Sequence, residues 1–532
     1  MFSIKERFIF LSATLVFIIS SIILSTIFVQ KNTILSPTKG GEYTEGIVDQ
    51  PSFINPVLAQ INSIDKDISE LVFATLKDMS DDITPNDDKK TYTVRIKGDI
   101  FWQDKTPITS DDVIFTIKAI QDPDINSPLA PNWKGVRTER ISERELKIII
   151  PATYSYFENI LANLRPLPKH LFENIPLANI KLSSYSLEPI GSGPFKFSSF
   201  EKTRDGFIST YSLSDNKDGF TGAPFLKSFT IKMYKNKTAL IDAFNSGDID
   251  GMAITDPSDI SKISIPNQLF KIQMPRYYAI FLNIYKNKSL KNIEVKTALN
   301  FATDKNKIIK DVFNDLAFPI NGPAILSPES NDFSIDRANE ILSNAGWTLN
   351  DENIRVSNNG SQKLEFSITV FPSSTLIKTA EIIKEDWAKI GVKININTPP
   401  IDNFSEDIIK TRNYEMLLFG NIYGENMDTY SFWHSSQKFY PGLNLSLYEN
   451  KNADYLIEQI RSTFNKDTRE KELDQLQSTI INDSPAVFLY SPYYLYITNK
   501  SLKGFNEEQL SLPSDRFLNA KTWYIKTVRS FK

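Results

Sequence analysis

A chain of 532 residues is longer than one hydrophobic core organises, so two or three folding units are expected. Its formal charge of −4 is spread out and no Lys/Arg stripe stands out, which excludes the electrostatic footprint of a nucleic-acid partner. The absence of cysteine removes disulfides, thiolate metal sites, cysteine nucleophiles and a lipid-modified N-terminal cysteine.

The first element is an uncharged run, residues 8–29 (FIFLSATLVFIISSIILSTIFV), which matches the roughly 20 residues a helix needs to cross a bilayer core. Lys5 and Arg7 precede it, favouring a cytoplasmic N-terminus with everything after Gln30 outside. The run exceeds the apolar region of a usual signal sequence, about 7 to 15 residues, and no clear small-x-small site follows. Residues 1–30 are therefore expected to be an uncleaved anchor in preference to a cleaved signal. Residues 31–42 begin KNTILSPTKGG, polar and without hydrophobic period, and are expected to be a tether.

Beyond it, period-two alternation predicts strands at Tyr92, Val94 and Ile96, at Phe229, Ile231 and Met233, and at Leu364, Phe366, Ile368 and Val370. Leu376, Ala380, Ile383, Trp387 and Ile390 recur at helical steps, Gly391 supplies a stop, and residues 392–396 alternate again. Strand, helix and strand make a candidate βαβ unit. Amphipathic helices are expected over residues 452–461 and 469–481, then, after Pro485, apolar runs at 487–490 and 495–497 that return to a sheet. The irregular mixture argues for an α/β fold. Thr109 before Ser110, Asp111 and Asp112 is a candidate N-cap, and the acidic pairs Asp81–Asp82 and Asp87–Asp88 are expected in a solvated loop.

Motifs of catalysis are missing. Of the two histidines, His170 and His434, neither sits in HExxH, and no GxSxG, GxxxxGK[ST], GxGxxG or EF-hand pattern occurs. Carboxylate pairs for acid/base work have no spacing rule to expose them.

Several stretches together resemble the family 5 extracellular solute-binding proteins, the oligopeptide, dipeptide and nickel receptors of ABC importers. They are residues 101–118 (FWQDKTPITSDDVIFTIK), 191–195 (GSGPF), 243–250 (AFNSGDID), 281–309, 338–347 (ANEILSNAGW) and 387–394 (WAKIGVKI). Departures are Lys105 where the family has Gly, and Lys296 and Lys305 where it has Arg. Gly191 and Gly193 are expected to set a tight turn through positive φ.

The resemblance implies a two-lobed periplasmic-binding-protein-like fold of type II with an extra inserted subdomain, preceded by one transmembrane helix. Lobe I would comprise residues 43–60, 185–275 and 484–532, the inserted subdomain 61–184, and lobe II 276–483, with hinge crossings near Pro275 and Ser484. It further implies a non-enzymatic, monomeric receptor that delivers a peptide or similar small solute to ABC permease subunits, without cofactor or metal. The ligand edge of lobe II is similar to residues 417–436 (LLFGNIYGENMDTYSFWHSS), where Gly424 stands at the family's frequent Asp. Glu425 or Asp428 is then the candidate acidic partner of a cationic ligand group, with Asn421, Tyr423, Trp433, Trp133 and Tyr278 as candidate contacts or pocket walls. Competing readings are an envelope hydrolase of peptides or glycans, and a sensory or chaperone-like protein that kept the fold.

Overall fold

The computed structural model describes residues 4–58, 62–323, 332–358, 360–424 and 426–531. Among these, alternating apolar residues build three substantial sheets. Strands Glu42–Val48, Phe195–Lys202, Ile208–Asp215, Ser228–Tyr234, Gly251–Ile254, Asn267–Ile272 and Tyr494–Asn499 form a seven-stranded sheet, the first lobe. Strands Arg276–Leu282, Ala317–Pro319, Glu365–Val370, Lys393–Asn397, Met416–Ile422 and Ala486–Pro492 form a six-stranded sheet, the second lobe. A four-stranded antiparallel sheet, of Ser80–Pro85, Thr91–Ile96, Arg137–Ser142 and Glu145–Ile149, shares one continuous core with the first lobe.

Local chemistry accounts for these elements. Tyr92, Val94 and Ile96 are the buried half of their strand, as are Phe229, Ile231 and Met233 of theirs. Helix Ser374–Ala388 is capped by the Ser373 hydroxyl and buries Leu376, Ala380, Ile383 and Trp387 against strands Glu365–Val370 and Lys393–Asn397, which pair in parallel. Gly391 follows at φ +75°. Thr109 and Asp112 make a reciprocal capping box at the start of helix Ser110–Gln121.

Four features differ from the sequence-based expectation. The tether is not free chain: Thr33–Pro37 is a strand, paired antiparallel with Thr527–Phe531 near the other end of the sequence, a partner no local pattern reveals. Asp81 and Asp82 are exposed on strand Ser80–Pro85, not in a loop. Gly191 and Gly193 adopt no positive φ; a Cβ on either would lie under 3 Å from the Val72 carbonyl, which accepts the Ser192 and Gly193 amides at 3.0 and 2.7 Å. Close backbone approach is therefore what demands glycine there. Finally, the chain first passes between the large sheets at residues 273–275, but its return falls at Tyr493, beyond the expected Ser484, because Ala486–Pro492 still pairs with Arg276–Leu282.

Candidate ligand-binding cleft

A cleft of about 650 Å³ lies between the lobes, within the usual range for small-molecule sites. The first-lobe side contributes helix Ser63–Val72, residues within 154–165 and the turn Pro513–Phe517, and the second lobe contributes residues within 422–424 and 426–432 and Leu443.

The first-lobe wall carries charged residues among apolar ones such as Val57, Leu129 and Trp133. Lys66 and Glu70, one helical turn apart, face the cleft with Asp515, and the Arg165 guanidinium pairs with Glu70. Asp515 accepts the Ser511 and Leu512 amides at 3.0 and 2.7 Å, and burial pushes its carboxyl above the ordinary range despite them. Behind this wall Arg516 forks onto Asp67 at 3.0 and 2.7 Å and onto Glu45 at 3.3 and 3.2 Å, and all three are buried. Tyr43 and Tyr496 donate to the other Glu45 oxygen at 3.0 and 2.7 Å.

The second-lobe wall sets two rings, Tyr423 and Phe432, beside Asn426, Asp428 and Ser431. Tyr423 lines the cleft, and its hydroxyl accepts the Trp433 indole N–H at 3.1 Å. Trp433 itself is wholly enclosed, against Phe281 and Phe488. Burial pushes the Tyr423 phenol well up, so it stays neutral.

Across the gap Tyr154 and Ser155 touch the second lobe. The Tyr154 hydroxyl donates to Asp428 Oδ2 at 2.8 Å, Arg461 Nε lies 3.2 Å from the same oxygen, and the Ser155 amide donates to the Arg461 carbonyl at 2.7 Å. The Arg461 guanidinium sits 4.8 Å from the Tyr154 ring centre and 4.3 Å from that of Tyr430. Burial, then the Asp428 charge, push the neighbouring Tyr156 phenol up to about 12.

The sequence-derived candidates are distributed unevenly over this geometry. Tyr423 and Asp428 line the cleft, Asp428 already engaged in the interlobe clasp, and Glu425 lies outside the described residues. Trp133 reaches the wall from below, 1% exposed and edge-on to Phe157. Trp433 is likewise core. Asn421 is buried behind the wall, donating to the Tyr277 hydroxyl at 2.9 Å, and Tyr278 points to the opposite face of its strand, stacked on Tyr490 at 5.4 Å. Gly424, at φ +72°, has open space where a Cβ would stand. No sequence pattern points to Lys66, Glu70, Arg165 and Asp515, because Arg165 and Asp515 stand far from the helix that carries the other two and no spacing joins them.

Neither histidine lines the cleft. His170 pairs with Asp104 at 2.6 Å, and His434 stacks on Tyr430 at 4.4 Å, with its Nδ1 2.8 Å from the Ser436 hydroxyl. No group of three metal-ligating side chains occurs among the described residues. The arrangement can grip a guest by hydrogen bonds and ring faces.

Comparison with known proteins agrees with that architecture. The oligopeptide-binding protein AppA of Bacillus subtilis is 24% identical over 523 residues, covering 92% of each chain. The ABC transporter substrate-binding protein CtaP of Listeria monocytogenes superposes with a TM-score of 0.79 at 25% identity, over 92% of this chain and all of that one. The structure of Bacillus subtilis AppA in complex with a nonapeptide gives 0.70 at 23% identity, again over 92% of this chain and all of that one. These relatives are solute-binding proteins, not enzymes, and the fold is the mixed α/β two-lobed periplasmic-binding-protein fold. The profile of the bacterial extracellular solute-binding proteins, family 5, matches residues 76–440, more than half of the sequence, and the chain belongs to that family.

Proposed function

We propose that this protein captures oligopeptides between its lobes and hands them, unaltered, to the permease of an ABC importer. The observation that carries this is the interlobe cleft, which sets Lys66, Glu70 and Asp515 on one side opposite Tyr423, Phe432 and Asp428 on the other, in a chain similar to an oligopeptide-binding protein over nearly its whole length. A peptide offers what such a cleft binds: main-chain amides and carbonyls for its polar groups, and side chains for its rings. Asp428, Tyr423 and Glu425 are the second-lobe contacts we assign to it, and Gly424 leaves room for the ligand terminus. The lobes we assign are residues 43–60, 185–275 and 494–532 for the first, 61–184 for its inserted subdomain, and 276–492 for the second. The receptor works as a monomer.

The helix Ile4–Asn32 carries a 25-residue span, Phe8–Asn32, long and apolar enough to cross a membrane and wholly exposed. In our reading it is a retained anchor that keeps the globular part outside the cytoplasm and near its permease, raising their local concentration.

Native mass spectrometry of the full chain in detergent tests the ligand class. Peptide masses that dissociate intact are expected, and adding them back at about 100 times Kd should stabilise the fold by about 2.7 kcal/mol. Cleaved products, or no stabilisation by any member of a peptide library, would refute it.

A further inference from the structure

The ribbon formed by Thr33–Pro37 and Thr527–Phe531 starts where the apolar helix stops, with no residue between Asn32 and Thr33. It is also fastened to that helix: the Thr33 hydroxyl donates to the Val29 carbonyl at 2.5 Å, and Arg529 donates to the Thr33 hydroxyl at 3.2 Å. A 25-residue span is about 37 Å long at 1.5 Å per residue, against a hydrocarbon core of about 30 Å. Its end, and hence the start of the ribbon, then falls in the headgroup layer.

The composition of the ribbon suits that layer and not open water. Phe531, Leu35, Val528 and Ile34 are 73%, 60%, 52% and 50% exposed, on a structure only two strands wide. Register places Phe531 opposite Thr33, and Ile34 and Leu35 in the next two pairs, so three of these four apolar side chains lie in the three pairs nearest the helix, with Val528 one pair farther out. The charge is one-signed. In a protein of net charge −4, residues 31–41 and 521–531 contain Lys31, Lys39, Lys521, Lys526 and Arg529 and not one carboxylate. Apolar tips flanked by cations are what an anionic lipid interface binds.

We infer that this ribbon is a membrane seat: Ile34, Leu35 and Phe531 enter the headgroup region of the outer leaflet while the flanking cations meet anionic lipid, holding the receptor body against the bilayer at a set height. This rests on the reading of the N-terminal helix as a retained anchor, but it assigns a separate surface with its own observable.

The chain has no cysteine, so single-cysteine variants of the full-length protein carry one fluorophore each. Ile34→Cys, Phe531→Cys and Val528→Cys, with Lys471→Cys on an exposed helix face as the control, are labelled with an environment-sensitive dye. They are reconstituted in vesicles of phosphatidylethanolamine and phosphatidylglycerol containing headgroup-level nitroxide lipid. Labels at 34 and 531 should emit to the blue of the control and be quenched several-fold more, with 528 intermediate. Equal quenching at 34, 531 and 471 overturns the seat. So does shielding from a water-soluble quencher without lipid quenching, which would put a protein partner on the ribbon. Loss of the effect in pure phosphatidylcholine supports the role of the cations, and an unchanged effect there overturns it. Alkaline extraction of the same vesicles decides the anchor independently: release refutes a retained span whatever the labels report.

Discussion

The two walls of the cleft rest on opposite physics. On the first lobe, Lys66, Glu70 and Asp515 stand over a buried lattice in which one cation, Arg516, holds two carboxylates. On the second lobe, Tyr423 stands over Trp433, Tyr277 and Phe488, rings in tilted contact at 5.6 to 5.7 Å. A charged lattice is stiff, because each member is held at fixed angles and none can leave without stranding another. Packed rings give a smoother surface whose contacts change little with small shifts. The contrast teaches how one cleft combines a fixed reference face with an accommodating one, which suits a ligand with a constant backbone and variable side chains.

The sharpest way to break the contrast is Arg516→Met. It leaves Glu45 and Asp67 buried without their cation, so a loss of about 3–5 kcal/mol is expected in urea denaturation. A loss below about 1 kcal/mol would mean the lattice does not hold the wall.

Next, the walls should differ in pH response. Asp65, on the same first-lobe helix, accepts the Ser52 and Phe53 amides at 2.7 and 2.9 Å, yet burial raises its carboxyl from 3.8 to about 6. A raised folded value means that its contribution is complete below the unfolded value and is lost as pH rises through about 6. Stability should therefore fall between about pH 4 and pH 6, by at most about 3 kcal/mol from this group. Asp65→Asn should flatten that slope; an unchanged slope assigns it elsewhere.

Trp433→Phe removes the donor to Tyr423 and part of the ring, and should cost about 1–2 kcal/mol with no pH dependence between 4 and 6. A pH-dependent cost would erase the distinction between the walls. The smallest effect belongs to the clasp, where the Asp428–Arg461 pair is partly exposed: Asp428→Asn should cost about 0.5–1 kcal/mol. It should also widen the ligand-free protein in solution X-ray scattering, and an unchanged radius would show that the clasp does not hold the lobes together.

How far the sequence revealed these walls follows the same division. Residues 417–436 resemble the family's second-lobe ligand edge, so Tyr423 could be singled out, although the resemblance alone could not separate it from Trp433 beneath. Strands such as Thr91–Ile96 and the βαβ unit were legible because burial of one face writes a period into the residues. The charged wall was not legible: Asp67 and Arg516 lie 449 positions apart, and each alone reads as a solvated surface charge. The ribbon escaped for the same reason, since Thr33 meets Phe531 only once the whole chain has folded. Local sequence encodes which face is apolar, but not which distant partner a polar group will find.

Arg276 lies where the chain first enters the second lobe, and its guanidinium donates to the carbonyls of Pro492 and Tyr493 at 3.1 and 2.7 Å, where the chain returns. The Ser491 hydroxyl donates back to the Arg276 carbonyl at 2.6 Å. The two connecting segments are thus pinned side by side, like paired leaves on a single axle. Sliding and splaying of the halves would tear these bonds, which leaves swivelling about one line as the cheapest displacement.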